Sequence, residues 1–278
     1  MKLATFLLAA VSLTGSAHAT LIGNWNHDEL SGSLIDSTGL HPEGTPTGTL
    51  DYGLPGVPNG TYGTITVTAA TGTAIGYGPS DVDELFMIGA DTNNPVMNLA
   101  ATGQFTVMGW MNPFQPSLTA RSYKIMSTGS GAGGDRGWAL ALRLPTVDGL
   151  GASVRFTGYG IADNDSSTFS VTFGTWIHLA ATYDNGVITY FLNGEMLDSD
   201  TRAFGDEGAA ARLLIGGRVG GNDADQMNGL LDGVRVYDQV LSTPEIQQAA
   251  LLSVSVPEPS VVALGAFAGC FLALRRRR

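Results

Sequence analysis

The stretch TWIHLAATYDNGVITYFLNGEML, Thr175 to Leu197, decides the fold class. Two runs rich in apolar and β-branched residues, Trp176–Tyr183 and Val187–Leu192, are each followed by a turn that contains Asn-Gly. Asn-Gly favours positive φ angles and therefore a tight hairpin turn. We therefore predict three successive antiparallel strands, the third at Glu195–Leu197.

The segments on both sides of this stretch continue the β pattern. QFTVMGWM, Gln104–Met111, alternates along its length and is ended by Pro113, as expected of a central strand. RLLIGGR, Arg212–Arg218, and GLLDGVRVYD, Gly229–Asp238, are typical of two further strands. The prediction is an all-β chain of short strands separated by turns rich in Gly, Asn, Asp and Pro.

Little helix is expected. Ser242 and Glu245 have the spacing of a capping box, which predicts one helix after the last strand. The segment Asp51–Asp91 is predicted to hold only short strands. Strands and helices do not alternate as βαβ units, so a parallel-sheet enzyme is not expected.

Composition and charge narrow the function classes. The chain has 38 Gly among 278 residues and only 14% charged residues, against a typical charged share of about 25%, which favours many turns over long helices. Lys2, Glu258 and the four C-terminal arginines lie outside residues 20–255, which hold 24 acidic and 9 basic side chains, a net charge of −15. No basic patch is expected, so nucleic acid is excluded as a partner, whereas calcium, neutral glycans or cationic surfaces are favoured.

The two ends of the chain predict export. The N-terminus has the order of a signal peptide: Lys2, then the apolar run Leu3–Leu13, then Ala17-His18-Ala19. We expect export by the general (Sec) route and cleavage between Ala19 and Thr20. The only cysteine, Cys270, lies in a C-terminal apolar run, so no intrachain disulfide can form. We predict a signal peptide at 1–19, one β domain at 20–253 and a tail at 254–278.

Several phrases together resemble the LamG-like jelly-roll domains of the concanavalin A-like lectin/glucanase superfamily. The resemblance implies a sandwich of two antiparallel sheets in which the first and last strands lie side by side. The phrases that carry it are NWNHDELSG and IDSTG within Asn24–Gly39, FTVMGWM at Phe105–Met111, WIHLAATYDNG and YFLNGE within Trp176–Glu195, LLIGG at Leu213–Gly217, and NGLLDGVRVYDQVLSTPEI at Asn228–Ile246.

The terminal stretch VPEPSVVALGAFAGCFLALRRRR resembles the PEP-CTERM sorting signal. That resemblance implies a Gram-negative bacterium, an exosortase-type membrane enzyme that processes the tail, and a final location at the cell surface or outside the cell. The apolar segment Ser260–Leu274 would be held transiently in the inner membrane, because arginines resist crossing it. The sorting motif is Pro257, Glu258 and Pro259, and the cytoplasmic anchor is Arg275, Arg276, Arg277 and Arg278.

Catalysis is not expected. Some relatives in the superfamily hydrolyse glycans with carboxylates at alternating strand positions, but DVDE at Asp81–Glu84 and GDEG at Gly205–Gly208 lack that pattern. No hydrolase motif accompanies the histidines, and His178 is predicted to be a packed strand residue. GSGAGG at Gly129–Gly134 is followed by a strand pattern and not by a helix, so it does not predict a dinucleotide site.

Calcium is the one cofactor that the sequence suggests. By the family resemblance, Asp36 and Asp232 fall where acidic residues often surround a structural ion, and Asp28 is a third candidate. The alternative is that Asp36 caps a turn and that Asp232 faces solvent. The Asp- and Asn-rich loops at Ala162–Ser167 and Gly220–Gly229 are candidates for binding calcium or sugar hydroxyls, although solvated turns are the simpler interpretation.

Together these observations predict an exported binding or adhesive protein, with extracellular polysaccharide as the ligand class. Two alternatives remain open: a divergent glycan hydrolase of the same fold, and a structural surface protein without a specific ligand.

Overall fold

The computed structural model describes residues 19–68, 72–78, 85–88, 103–117, 121–129, 137–201, 212–218 and 225–251. These ranges contain seventeen strands and one helix. In chain order they are β1 (Leu21–Trp25), β2 (Thr45–Thr47), β3 (Leu50–Pro55), β4 (Gly60–Tyr62), β5 (Ile65–Val67), β6 (Thr73–Tyr77), β7 (Leu85–Ile88), β8 (Gln104–Pro113), β9 (Arg121–Gly129), β10 (Trp138–Leu144), β11 (Ser153–Gly158), β12 (Ala162–Asp165), β13 (Ile177–Asp184), β14 (Val187–Leu192), β15 (Glu195–Thr201), β16 (Arg212–Ile215), β17 (Gly229–Tyr237) and α1 (Thr243–Ala249).

The strands form two large sheets and one small hairpin. The eight-stranded sheet has the order β15-β14-β13-β8-β17-β6-β3, with β1 also paired to β17, and the seven-stranded sheet has the order β12-β11-β10-β9-β16-β7-β2. β4 and β5 form the separate hairpin. Every strand pairing in the described ranges is antiparallel, so the predicted two-sheet antiparallel sandwich is confirmed.

β17 closes the fold. One of its edges pairs with β8, and the other pairs first with β6, through Gly229–Leu231, and then with β1, through Val234–Tyr237. The first and last strands therefore lie side by side, as the family resemblance implies.

The two predicted hairpin turns are present. Asn185 and Gly186 have φ angles of 45° and 102°, and Asn193 and Gly194 have 51° and 78°. At Gly194 a Cβ atom would also lie 2.8 Å from Thr64 Oγ1, so this position excludes larger residues for two reasons.

Strand ends differ from the prediction in two places. β15 continues to Thr201, whereas the prediction ended it at Leu197. β16 stops at Ile215, short of the predicted Arg218, because Gly216 turns the chain with a φ angle of 90°. The predicted helix is present as α1, and Glu245 accepts hydrogen bonds from the amide and the hydroxyl of Ser242 at 2.8 and 2.6 Å.

The main core lies between the two sheets. Phe105 on β8 stacks on Tyr183 of β13, with ring centroids 5.3 Å apart, and also packs against Trp138 and Phe156 of the opposite sheet. All four side chains belong to one buried cluster, which supplies most of the apolar area removed from water.

The outer face of the eight-stranded sheet is covered by α1, the residues after it, and the β4–β5 hairpin. Trp110 of β8 donates from Nε1 to the carbonyl of Ala250 at 2.8 Å and meets Tyr62 edge-on at 5.1 Å. Met108 belongs to the same apolar cluster as Ile246 of α1. This covering explains why β8 is buried on both of its faces.

The predicted export and sorting segments lie at the two ends of the chain. No helix within them is long and apolar enough to cross a membrane. Almost all of the predicted signal peptide and the whole sorting tail lie outside them, including Pro257 to Pro259 and Arg275 to Arg278. At the predicted cleavage position, the Thr20 amide donates to Asp238 Oδ1 at 2.7 Å, which fixes the chain beside the end of β17.

Candidate functional site

The outer face of the seven-stranded sheet carries polar side chains in register across four strands. Lys124 of β9, Ala141 of β10, Arg155 of β11 and Asp165 of β12 are paired in one row. The side chain between Lys124 and Arg155 is therefore an alanine, too short to fill the space above the sheet.

The alternation within β10 explains this row. Leu140, Leu142 and Leu144 of the segment WALALRL belong to the core cluster, so Ala139 and Ala141 point the other way. β10 thus contributes large apolar side chains to the core and only the small side chains of Ala139 and Ala141 to this part of the outer face.

A bulge in β9 places Lys124 on this outer face. The register with β10 shifts between Leu140 and Ala141, and the consecutive residues Ile125 and Met126 both enter the core. Because a bulge inserts one extra residue, Lys124 and Ser127 can both point outward although they are three residues apart.

These side chains line a polar cavity of about 410 Å³, here called the sheet-face pocket. Its volume is within the range of about 300 to 1,000 Å³ that is usual for small-molecule sites. It is lined by Ser122, Lys124, Arg155, Thr157, Gly158, Tyr159, Gly160, Ile161, Ala162, Asp163, Arg218 and Asp225.

Lys124 forms the most buried ion pair of the pocket. Its Nζ lies 2.5 Å from Asp225 Oδ1, and its side chain is 3% exposed against 25% for the aspartate. Burial lowers the pKa of Lys124, and the nearby Asp225 partly opposes that change. The aspartate is thus the group that keeps a buried ammonium ion acceptable at this position.

Arg155 is held by two carboxylates of β12. Its Nε and Nη2 donate to the two oxygens of Asp165, each at 2.7 Å, and its Nη1 donates to Asp163 Oδ2 at 2.7 Å. The hydrogen bonds that Arg155 donates to Asp165 raise the pKa of this arginine. Three short bonds fix this guanidinium in place, so it acts as part of the pocket wall.

Arg218 enters the pocket from the loop after β16. Its guanidinium carbon lies 4.9 Å from the ring centroid of Tyr159, and its Nη1 lies 3.4 Å from Asp225 Oδ2. The backbone carbonyl of Arg218 accepts from Gln226 Nε2 at 3.0 Å. The side chain is 30% exposed and is therefore both oriented and open to a ligand.

Two hydroxyl groups complete the lining, and they differ in one respect. Thr157 Oγ1 donates to Asp163 Oδ1 at 2.9 Å. Ser122 is 8% exposed, and its Oγ is buried with no hydrogen-bond partner among the described residues. A buried hydroxyl without a partner is costly, so Ser122 marks where a ligand would supply a hydrogen bond.

The carboxylate of Asp36, a predicted calcium ligand, accepts hydrogen bonds from backbone amides. Its Oδ1 accepts from the amides of Asn24 and Thr38 at 2.9 and 3.1 Å, and its Oδ2 accepts from those of Leu40 and His41 at 3.2 and 3.1 Å. This is the turn-capping role that the sequence left open as the alternative.

The other two calcium candidates lie in different surroundings. Asp28 Oδ1 accepts from the Thr73 amide at 2.8 Å. Asp232 is 1% exposed on β17, which makes the alternative of a solvent-facing Asp232 wrong. The ranges that the structure describes contain no group of three or more His, Cys, Asp or Glu side chains able to surround a metal ion, so Asp28, Asp36 and Asp232 form no such group, and calcium binding stays a prediction.

His27, His41 and His178, the histidines among the described residues, are buried. His178 of β13 is fully buried and packs edge-on against Trp110 at 5.1 Å, which confirms the predicted packed strand residue. His27 has a φ angle of 59°, and its Nδ1 lies 3.0 Å from the Trp25 carbonyl. A carbonyl can only accept, so Nδ1 carries the proton and Nε2 accepts from Tyr77 Oη at 3.2 Å.

The two Asp- and Asn-rich loops are brought together. Asp163, from the stretch at Ala162–Ser167, and Asp225, from the stretch at Gly220–Gly229, both line the sheet-face pocket. Ala162–Asp165 forms strand β12 and is not a solvated turn. Both loops were candidates for binding sugar hydroxyls, but no pattern in the sequence indicated Ser122, Lys124, Arg155 or Arg218.

Both carboxylate motifs, Asp81–Glu84 and Gly205–Gly208, lie outside the described residues. The same is true of the glycine-rich segment after Gly129.

Comparison with known families gives one match that covers more than half of the chain. Residues 87–247 match the Laminin_G_3 family, described as belonging to the concanavalin A-like lectin/glucanases superfamily. No curated protein sequence matches the chain.

Solved structures of similar fold include sugar-bound proteins. Domain 4 of AbnA, an extracellular GH43 arabinanase from Geobacillus stearothermophilus solved with arabinotriose, is 22% identical, with 84% of this chain and 100% of that domain covered and a TM-score of 0.54. The Trypanosoma rangeli sialidase in complex with sialic acid is 15% identical with a TM-score of 0.56, covering 83% of this chain but only 32% of the sialidase. The binding domain of Paraclostridial Mosquitocidal Protein 1 is 15% identical with a TM-score of 0.50, with 82% and 51% covered. At these identities the similarity establishes the fold alone.

Proposed function

Since this chain belongs to the concanavalin A-like lectin/glucanase superfamily, we propose that it binds carbohydrate in the sheet-face pocket. The observation that carries the proposal is the hydroxyl of Ser122, which is buried in the pocket lining with no hydrogen-bond partner among the described residues. Sugars offer many hydroxyls that both donate and accept, which suits a pocket lined by hydroxyl, carboxylate and guanidinium groups.

The structural neighbours support the ligand class. The arabinanase domain was solved with arabinotriose, and it matches this chain over the full length of that domain. A separate domain of a glycan-degrading enzyme that holds an oligosaccharide is a precedent for binding as the role of this fold. The sialidase adds a second neighbour with a bound sugar.

Within the pocket, the charges favour binding over hydrolysis. Asp225 contacts Lys124, and Asp163 contacts Arg155, so each lining carboxylate has a cation at hydrogen-bond distance. A glycosidase uses a pair of carboxyl groups that act on the scissile bond. Both lining carboxylates of this pocket instead form ion pairs within its wall.

The proposal is tested by titrating the mature protein with a panel of oligosaccharides while reducing ends are followed. Ser122→Ala should weaken binding about threefold, the loss of one neutral hydrogen bond. Ser153→Ala is the matched control, because Ser153 is 1% exposed, its hydroxyl also has no partner among the described residues, and it does not line the pocket.

The expected result is binding without new reducing ends, weakened by Ser122→Ala and unchanged by Ser153→Ala. Release of reducing ends would instead support the hydrolase alternative. Absence of binding across the panel would leave the role of a structural surface protein.

We propose further that the chain is exported by its N-terminal segment and that an exosortase-type enzyme processes its C-terminal tail. The order of charged, apolar and small residues at the start and the Pro257-Glu258-Pro259 motif before an apolar run support this. Mass spectrometry of the protein from its own cells should find an N-terminus at Thr20 and a chain that ends near the motif. An intact chain that keeps Arg275 to Arg278 would contradict the processing.

A structural calcium ion remains part of the proposal, with Asp28, Asp36 and Asp232 as the candidates. Because these three do not come together in one group, backbone carbonyls and water would supply the other ligands. A melting temperature that does not change between calcium and chelator would exclude it.

A further inference from the structure

The sheet-face pocket concentrates the few cations of an acidic protein. Residues 20–255 contain 9 basic and 24 acidic side chains. Three of the nine, namely Lys124, Arg155 and Arg218, line this one pocket, together with two of the acidic ones, Asp163 and Asp225. The fold thus gathers three cations that the sequence count did not place together, and each of them forms an ion pair with a carboxylate.

The three cations are not equivalent. Arg155 is fixed by three bonds of 2.7 Å to Asp163 and Asp165, and Lys124 lies 2.5 Å from Asp225. The side chains of Lys124 and Arg155 are 3% and 18% exposed and form part of the pocket wall. Their charges are balanced by these carboxylates, and their positions are set by the protein.

Arg218 is the cation placed to meet a ligand. Its side chain is 30% exposed, its contact with Asp225 is the longer one at 3.4 Å, and its guanidinium lies over the ring of Tyr159. A guanidinium held against an aromatic ring is pre-oriented, so less side-chain entropy is lost when it binds a planar anion. A carboxylate matches its fork of donors in a bidentate manner.

Ser122 supplies a second and independent observation in the same pocket. Its buried hydroxyl has no partner in the described part of the chain and can donate to a carboxylate or to a sugar hydroxyl. The pocket thus offers an oriented cation and an unused hydroxyl to one ligand.

We infer that the sugar residue that enters the sheet-face pocket carries a carboxylate, as a uronic acid does, and that Arg218 binds this group. This inference rests on the proposed carbohydrate binding and specifies its ligand class. Acidic side chains more than about 8 Å from the ligand are largely screened at physiological salt, so most of the net charge of −15 does not act on a bound ligand there. At low salt the same charge should slow association.

The test compares matched pairs of oligosaccharides by calorimetry in about 0.15 M salt. The pairs are galacturonate and galactose, glucuronate and glucose, and mannuronate and mannose oligomers, in which a carboxylate replaces a hydroxymethyl group. In at least one pair, the acidic member should bind about tenfold more tightly, the value of one charge-assisted contact.

The variants locate the effect. Arg218→Gln should abolish the preference for the acidic sugar and leave the neutral one bound as before, whereas Arg218→Lys should keep part of the preference. Arg212→Gln removes the same charge from an exposed residue of β16 outside the pocket, and it should leave the preference intact. Unfolding midpoints verify that each variant is folded.

The outcomes separate this inference from the proposed function. If neutral sugars bind and weaken with Ser122→Ala, but no acidic partner binds more tightly, the inference is overturned and carbohydrate binding stands. If an acidic sugar is preferred but Arg218→Gln retains that preference, Arg218 is not its binding group. If no sugar in the panel binds, the proposed function fails together with the inference.

Discussion

The outer faces of the two sheets differ although the sheets pack on one shared core. The eight-stranded sheet has its outer face covered by α1, by Ala250 and by the β4–β5 hairpin, with Trp110 at the centre of the contact. On the outer face of the seven-stranded sheet, the described residues form the sheet-face pocket, whose lining includes the partly exposed side chains of Arg218 and Asp225. Access, more than polarity, therefore distinguishes the face that can bind a ligand.

Polarity alone does not separate the two faces. The covered face also buries Arg235, whose Nε donates to Asn24 Oδ1 at 2.9 Å and whose Nη1 donates to the Ala249 carbonyl. Burial lowers the pKa of this arginine. Its donors are used to hold the covering segment in place, whereas Arg218 on the open face remains partly exposed.

The largest expected effect is the loss of stability when the contacts that cover the outer face of the eight-stranded sheet are removed. Trp110→Ala should lower the free energy of unfolding by about 4 kcal/mol, because it leaves a cavity beneath Tyr62 and removes the donor to Ala250. Urea unfolding followed by circular dichroism measures it. Ser153→Ala on the other sheet is the control and should change stability by under about 1 kcal/mol.

The same variant tests whether the faces are independent. At temperatures where Trp110→Ala remains folded, its affinity for sugars should equal that of the unchanged protein, because the pocket is on the opposite side of the sandwich. A joint loss of binding and stability would show that the cover also shapes the pocket.

The parts of the fold that were predicted correctly depend on local signals. The hairpins at Asn185-Gly186 and Asn193-Gly194 follow from positive φ angles that Asn and Gly tolerate, and α1 follows from the Ser242 and Glu245 pair. Each signal acts within four residues, so one sequence suffices to find it.

The pocket could not be predicted in the same way. Ser122, Arg155 and Arg218 come from three separate strands or loops, and only the sheet register brings them to one cavity. The bulge at Lys124 and Ile125 also breaks the alternation that would assign a face to each residue. Only the segment WALALRL gives a local indication, because its small Ala139 and Ala141 alternate with leucines that enter the core.

The second expected effect is a loss of stability at acidic pH, caused by a histidine on the covered face. Burial, with repulsion from Arg235, lowers the pKa of His178 to about 3 in the folded protein. The unfolded chain, with an ordinary histidine pKa of about 6.5, therefore binds more protons as the pH falls. Between pH 6.5 and 4.0 this histidine alone should cost about 3 kcal/mol of stability, and none of this stability is lost well above pH 6.5.

His178→Phe isolates this contribution, since the carboxylates titrate equally in both proteins. The variant should lose about 3 kcal/mol less than the unchanged protein over that pH interval, as measured by urea unfolding at each pH. Part of the remaining loss is expected from His27, whose pKa burial lowers to about 4. Identical pH profiles for the two proteins would show that His178 accepts a proton without opening the cover.

The smallest expected effect concerns the open face and its buried ion pair. Asp225→Asn leaves the Lys124 ammonium, which is 3% exposed, without its carboxylate partner. Loss of one partner from a fully buried pair costs about 3 to 5 kcal/mol, but Asp225 is 25% exposed, so water can replace part of the contact and we expect about 2 kcal/mol. The double variant Lys124→Met with Asp225→Leu removes both charges and should regain most of that loss. If the double variant is no more stable than Asp225→Asn, the pair contributes packing to the pocket wall and not mutual charge compensation. The two outer faces would then differ less in the cost of losing a buried polar contact than their geometry indicates.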